Sequence, residues 1–249
     1  MADQPLENKL EHPCFPQVKD TAAKVWRYLD LAKFTWLLDN RKLYLARLDL
    51  LNDPHEGSTP RLLAQLRDQQ LRELTEGKVN IDSGQINQRM RKSLYVNCWH
   101  LGNSESEAMW RLYCPGDNGV AIQTTYGKLV ESIDHDRWLY IGHVTYIDYE
   151  LGGFPLNNLF YPVMHKRISF AHEQEVRLVK TLSAHWSSPD TSPPGITVEW
   201  APEHSINAIY VNPYAPDYYY EAVRSIVLRI EPRLVDRIAW SRMRGGPVY

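Results

Sequence analysis

The chain has 249 residues, 43% of them hydrophobic and 23% charged, with a formal net charge of -2. That length suits one large α+β domain or a domain carrying a long insertion, and the near-neutral balance excludes a global basic field for nucleic acid. No run approaches eighteen apolar residues, so no membrane-spanning helix and no membrane partner are expected.

Residues 1–20 are polar and contain proline, and they read as a flexible lead-in to a single α+β domain over 21–249. No basic region followed by an apolar run opens the sequence, so no signal peptide is expected. Residues 25–29 form a short strand-like run. Asp30 can cap a helix over 31–39, with Leu31, Phe34, Leu37 and Leu38 on its apolar side, and a strand resumes over 42–46. Residues 52–57 are dense in turn formers. Ser58-Thr-Pro60 starts a helix to about residue 77 whose stripe of Leu62, Leu63, Leu66 and Leu74 is expected to be buried. The polar segment 78–92 continues it as a helical insertion of about 58–92.

Residues 93–100 read as a strand, followed by a helix over 104–113 with Ser104 and Glu107 as a capping box. A turn at 114–119 leads to a strand over 120–124 and a helix over 126–132. A strand over 139–149 and a loop over 152–162 follow. Residues 187–195, rich in Ser and Pro, form a long turn. Strands at 196–200 and 206–211, a helix over 217–230 and a strand at 235–241 complete the chain. Many short strands with helices interspersed, without strict alternation, favour an α+β fold with a mixed or antiparallel β core flanked by helices.

Cys14, Cys98 and Cys114 are odd in number and widely spaced. Neither a zinc site nor a disulfide framework is implied, and the chain reads as cytoplasmic and reduced. Eight Trp and fifteen Tyr against five Phe favour amphipathic rings, which suit ligand clefts as well as cores.

Chemistry concentrates in residues 169–180, Ser-Phe-Ala-His-Glu-Gln-Glu-Val-Arg-Leu-Val-Lys. As a strand, this segment puts Glu173, Glu175 and Arg177 on one face, the two carboxylates roughly 7 Å apart. They repel unless something cationic or polar holds them, which marks either a cleft or an edge strand with a Glu175–Arg177 ion pair. Lys166 and His172 lie nearby in sequence. Three further clusters stand out. Trp26-Arg27-Tyr28 ends a strand just before a helix, where Arg suits a phosphate. Trp99-His100 faces Glu105, Glu107, Trp110 and Tyr113, an aromatic set able to hold a flat ring. Thr124-Thr125 could hold a loop or a catalytic carboxylate, or cap the next helix. No Gly-rich phosphate loop, His-Glu-x-x-His pattern or Gly-x-Ser-x-Gly elbow occurs.

The order of these clusters resembles the bacterial domain-of-unknown-function 2971 family. The residues that carry it are 26–29, 43–45, Asn52-Asp-Pro-His-Glu-Gly57, Cys98-Trp-His100, 105–110 with Tyr113, 119–122, and Lys166 with 170–178. A more remote resemblance is to the ADP-ribosyltransferases: Arg27, Thr124-Thr125 and Glu173-Gln-Glu175 follow one another in that family's order. The Ser-Thr-Ser of that family is missing. The resemblance implies an ADP-ribosyltransferase-like fold and an enzyme that cleaves NAD, its substrate, and passes ADP-ribose to a nucleic-acid or protein acceptor. A toxin or phage-defence effector with an antitoxin or other inhibitory partner would fit. Glu175 would be the main catalytic carboxylate and Glu173 would steer the acceptor. Arg27 would bind the phosphates, with Tyr28, Trp99, His100, Trp110, Thr124 and Thr125 completing the NAD site and no metal expected. Two other readings compete. One is a non-catalytic ligand-binding or regulatory domain with an aromatic cleft. The other is a metal-dependent hydrolase or nuclease, in which Asp53 and Glu56 approach Glu173 and Glu175.

Overall fold

The computed structural model describes residues 12–76, 82–133, 136, 138–182 and 191–246. In chain order its regular elements are β1 (Lys24–Asp30), α1 (Leu31–Asn40), β2 (Lys42–Arg47), α2 (Arg61–Leu74), α3 (Ser83–Arg91), β3 (Leu94–Leu101), α4 (Glu107–Tyr113), β4 (Gly119–Thr125), α5 (Tyr126–Ile133), β5 (Leu139–His143), β6 (Thr145–Ile147), β7 (His165–Arg167), β8 (Glu175–Thr181), β9 (Gly195–Glu199), α6 (Pro202–Ser205), β10 (Ala208–Val211), α7 (Asp217–Ile230) and β11 (Ile238–Trp240). The class is α+β, with parallel and antiparallel strand pairs and flanking helices. The chain divides into two compact units. One is built from Met1–Gln17, Leu45–Asn97 and Arg137–Ile196, the other from Val18–Tyr44, Cys98–Asp136 and Thr197–Tyr249.

In the second unit, β1 runs antiparallel to β4 from Lys24↔Thr125 to Asp30↔Gly119. The far edge of β4 pairs antiparallel with β10, and β10 pairs parallel with β11. Alternation along β1 sends Trp26 and Tyr28 to one face, where they pack with Met109, Trp110, Cys114 and Ala121. The Asp30 carboxylate accepts from the Lys33 amide at 2.8 Å and starts α1, as expected. Arg41, at φ 55°, closes that helix by donating its amide to the Leu37 carbonyl.

In the first unit, β5 and β8 are antiparallel from Leu139↔Lys180 to His143↔Val176. Val176, Leu178 and Val179 have no exposed surface, so apolar side chains cover β8 on both faces. β6 and β7 make a short parallel ribbon, Thr145↔His165 to Ile147↔Arg167. The expected strand over 169–180 starts only at Glu175. Before it, Ile168–Glu173 is a 3₁₀ turn, ended by Gln174 in the left-handed region at φ 42°.

Three other expectations change. α2 buries none of its residues: Leu62, Leu66 and Leu74 are 61%, 55% and 82% exposed. Periodicity shows which side chains share a face but not whether another element covers it. The insertion is also two helices, the second capped by Asp82, which accepts from the Gly84 amide at 2.8 Å. The N-cap of α4 is Ser106 rather than Ser104, and Glu107 instead bonds Arg111 Nε at 2.9 Å. Residues 77–81 of the insertion, 187–190 of the Ser/Pro turn and 1–11 of the lead-in lie outside the described residues. Within 12–20, Cys14 and Phe15 are buried rather than loose, and Phe15 stacks on Tyr140 at 5.0 Å.

Gly142 on β5 is where that anchored segment comes closest. A Cβ there would stand 2.8 Å from Phe15 Cα and carbonyl carbon, and backbone cannot swing aside as a side chain can. Gly142→Ala is therefore expected to destabilise the protein by about 1–3 kcal/mol, read as a lowered urea midpoint at unchanged m-value.

Candidate functional site

Four pieces of the first unit bring one cluster of charges together. The turn after β2 is folded by Asp53, whose carboxylate accepts from the His55 amide at 3.0 Å while its carbonyl accepts from the Glu56 amide at 3.0 Å. Gly57 follows at φ 67°, with no room for a Cβ, which would lie 2.5 Å from Leu48 Cδ2. Glu56 is thereby turned inward and is 2% exposed. β7 supplies Lys166, the 3₁₀ turn supplies Glu173, and β8 supplies Glu175 and Arg177. Gln174 turns outward at its positive φ, so that the carboxylates on either side of it both face Lys166.

Lys166 Nζ is the common point of three carboxylates. It lies 3.0 Å from Glu56 Oε1 and 4.0 Å from Glu175 Oε1, and it donates a short hydrogen bond to Glu173 Oε2. Arg177, with no exposed side-chain surface, spans two of them. Its Nη1 donates to Glu56 Oε2 at 3.1 Å and to the Val163 carbonyl at 2.7 Å, and its Nη2 donates to Glu56 Oε1 at 3.3 Å and, closely, to Glu175 Oε2. Glu175 Oε1 accepts no hydrogen bond among the described residues. The Glu175 amide donates to the Tyr146 hydroxyl at 2.8 Å. Beside the cluster, Arg167 Nη2 bonds Asp53 Oδ1 at 2.8 Å.

Among the described contacts, three carboxylates meet two cations in a buried place. Burial and the Glu175 charge hold the Glu173 carboxyl above the usual carboxylate range, partly offset by Lys166. Burial opposes ionised Glu56 as well, but Arg177 and Lys166 outweigh it and hold that group low. Burial also works against the Lys166 ammonium, and Glu175 with Glu56 more than reverses this. Burial, then the charge of Glu175, raises the Tyr146 hydroxyl. The cluster thus offers a carboxyl poised to hold or take a proton, Glu173, beside a second carboxylate with an unbonded oxygen.

The remaining expected residues belong to the second unit, and strand alternation divides them. By register, Arg27, Trp99 and Thr124 share one face of the β3–β1–β4 pairing, while Tyr28 and His100 share the other. The Arg27 guanidinium carbon lies 5.9 Å from the Trp99 ring centre, and its Nη1 is buried without a hydrogen-bond partner among the described residues. Burial lowers its pKa to about 10. Thr124 Oγ1 is likewise buried and unpartnered. Tyr28 and Trp110 meet edge-on at 5.0 Å inside the aromatic core, the Tyr28 hydroxyl accepting from the Ser106 amide and Trp110 Nε1 donating to Glu105. With 6% and 0% of their surface exposed, these two rings serve packing and present no face to a flat ligand beside Arg27. Thr125 Oγ1 accepts from the Lys128 amide at 3.3 Å at the start of α5, the capping alternative.

Glu56 and Lys166 are the members of the cluster that the sequence marks least. The turn dense in Asp, His and Glu flagged Glu56, but its bond to Arg177 spans 121 residues of sequence. Among the described residues, no group of three or more His, Cys, Asp and Glu could hold a metal ion. The point where Glu56, Glu173 and Glu175 converge is taken by an ammonium. An apolar pocket of about 440 Å³ in the same unit, lined by Leu94, Leu156, Leu159 and Phe160, includes none of the cluster. No family model, curated protein or solved structure matches the chain.

Removing one partner of a buried ion cluster strands the others. Lys166→Met is expected to cost about 3–5 kcal/mol in urea unfolding at pH 7. Glu173 has its folded-state pKa raised, so the native protein binds that proton more readily than the unfolded chain. The deficit should therefore shrink as pH falls and Glu173 becomes neutral, and a pH-independent deficit would contradict the assignment.

Proposed function

We propose that the protein is an ADP-ribosyltransferase-like enzyme. NAD loses nicotinamide by cleavage of its N-glycosidic bond, the ADP-ribosyl group bonds to a nucleophilic oxygen or nitrogen of an acceptor, and the acceptor's proton is released. The observation that carries this reading is the environment of Glu173 and Glu175: two residues apart, one favouring its proton and the other keeping Oε1 unbonded. A carboxyl held above its usual range beside a second carboxylate recurs where glycosidic bonds are broken. Glu175 Oε1 would accept from the ribose 2′-hydroxyl and stabilise the oxocarbenium ion as nicotinamide leaves. Glu173 would take the proton of the acceptor. The NAD-binding role of Arg27, the nucleic-acid or protein acceptor and the toxin or phage-defence setting with an inhibitory partner rest on the resemblance alone. No described helix is long and apolar enough to cross a membrane.

A ligand-binding or regulatory domain is the second reading, favoured by the 5% exposure of both Glu173 and Glu175. A metal-dependent hydrolase or nuclease would require a metal to displace the Lys166 ammonium. Incubation with NAD labelled in the nicotinamide ring separates these readings. Release of nicotinamide without added metal supports the transferase, silence with every nucleic-acid and protein acceptor supports the binding domain, and strict metal dependence supports the third.

Glu175→Gln keeps a hydrogen bond to Arg177 but loses the charge, so nicotinamide release should fall about 10²–10³-fold with an unchanged circular dichroism spectrum. Full cleavage by this variant would sink the assignment.

A further inference from the structure

We infer that Glu56 is a positioning residue: by occupying both arms of the Arg177 guanidinium and drawing Lys166 toward itself, it keeps Glu175 Oε1 unbonded and sets which cations reach Glu173. The kinetic half of this inference rests on the transferase reading, and the titration half does not.

The geometry is a competition for donors. An arginine fork binds a carboxylate best with two parallel N–H···O bonds, and Glu175 is the nearest alternative acceptor for Arg177. Glu56 takes the paired geometry instead, with Nη1 on Oε2 at 3.1 Å and Nη2 on Oε1 at 3.3 Å. Glu175 is left with a single bond, from Nη2 to Oε2. Glu56 restrains Lys166 in the same way, holding Nζ at 3.0 Å while Glu175 Oε1 stands 4.0 Å off. The Val163 carbonyl pins Nη1 from the other side at 2.7 Å. Without the Glu56 charge both cations turn to the carboxylates that remain. The fork closes on both oxygens of Glu175, and Lys166 binds Glu173 more strongly. Glu175 then has no oxygen to offer a ribose hydroxyl.

Among the described residues, the charges acting on Glu173 include Lys166 from β7, Glu175 from β8 and Glu56 from the 52–57 turn, with the Tyr146 hydroxyl from β6 nearby. Removing the Glu56 charge takes away a repulsion that favours the Glu173 proton and frees Lys166 to oppose it. Both effects have the same sign.

The test uses the full chain with ¹³C-labelled glutamate carboxyls, titrated by NMR in wild type and in Glu56→Gln, with assignments from Glu173→Gln and Glu175→Gln. Wild-type Glu173 should titrate above the ordinary glutamate range, and in Glu56→Gln its midpoint should move down. An unmoved midpoint overturns the inference, and if Glu56→Gln does not fold, an ordinary midpoint for Glu173 in wild type does so. In parallel, kcat for nicotinamide release should fall about tenfold or more in Glu56→Gln, with KM for NAD held within about twofold. An unchanged kcat in an active wild type also overturns it. A wild type that releases no nicotinamide refutes the transferase reading alone, and the titration still decides the role of Glu56.

Discussion

The burial of the Lys166 ammonium among Glu56, Glu173 and Glu175 is the constraint around which the first unit is arranged. Charge taken out of water costs several kcal/mol per ion unless it is paired and fully hydrogen-bonded, so each element near it is shaped to bring a partner. The turn at 52–57 folds inward to deliver Glu56 and needs Gly57 to do so. The β6–β7 ribbon places Lys166 and the Tyr146 hydroxyl, and the break at Gln174 lets Glu173 and Glu175 converge where a continuous strand would hold them a full pleat apart. Arg177 completes the arrangement from the middle of β8, with its Nη1 anchored on the Val163 backbone.

Such a cluster is weak evidence for stability, because well-packed apolar residues would do as well. Its composition is more telling. Among the described contacts three carboxylates meet two cations, and burial with the Glu175 charge raises the protonation preference of Glu173. Buried groups whose protonation is displaced by specific neighbours are the usual raw material of acid–base chemistry. The link from packing to function therefore runs through electrostatics: the same contacts that let three carboxylates be buried also make two of them chemically unlike.

The second unit is held differently, by an aromatic core in which polar tips are satisfied locally. Tyr28 accepts from Ser106, Trp110 donates to Glu105, and Trp26 Nε1 donates to the Gly102 carbonyl. Arg27 is the exception on β1. Its Nη1 lacks a protein acceptor among the described residues, and Thr124 Oγ1 on the same face lacks one too. Two unsatisfied polar groups on one face mark the part of that unit where a polar ligand would relieve a cost.

Local chemistry made several features readable from the sequence by itself. The cap at Asp30, the end of α1 before Arg41, the turn before the buried strand β4 and the α+β class follow from turn residues, caps and apolar runs acting over a few positions. The Glu175–Arg177 pair was readable for the same reason, since residues two apart on a strand share a face. What only tertiary structure decided depends on contacts across long stretches of chain. The positive φ of Gln174 ends the 3₁₀ turn and delays β8 to Glu175, Glu56 reaches Arg177 across 121 residues, and Leu62, Leu66 and Leu74 of α2 stay exposed. Composition brought the aromatic residues to notice, but the faces of β1 separated Arg27 from Tyr28. A sequence records which side chains are available and how they alternate, whereas the low-dielectric setting that holds the Glu173 carboxyl above its usual range exists only once distant segments have excluded water together.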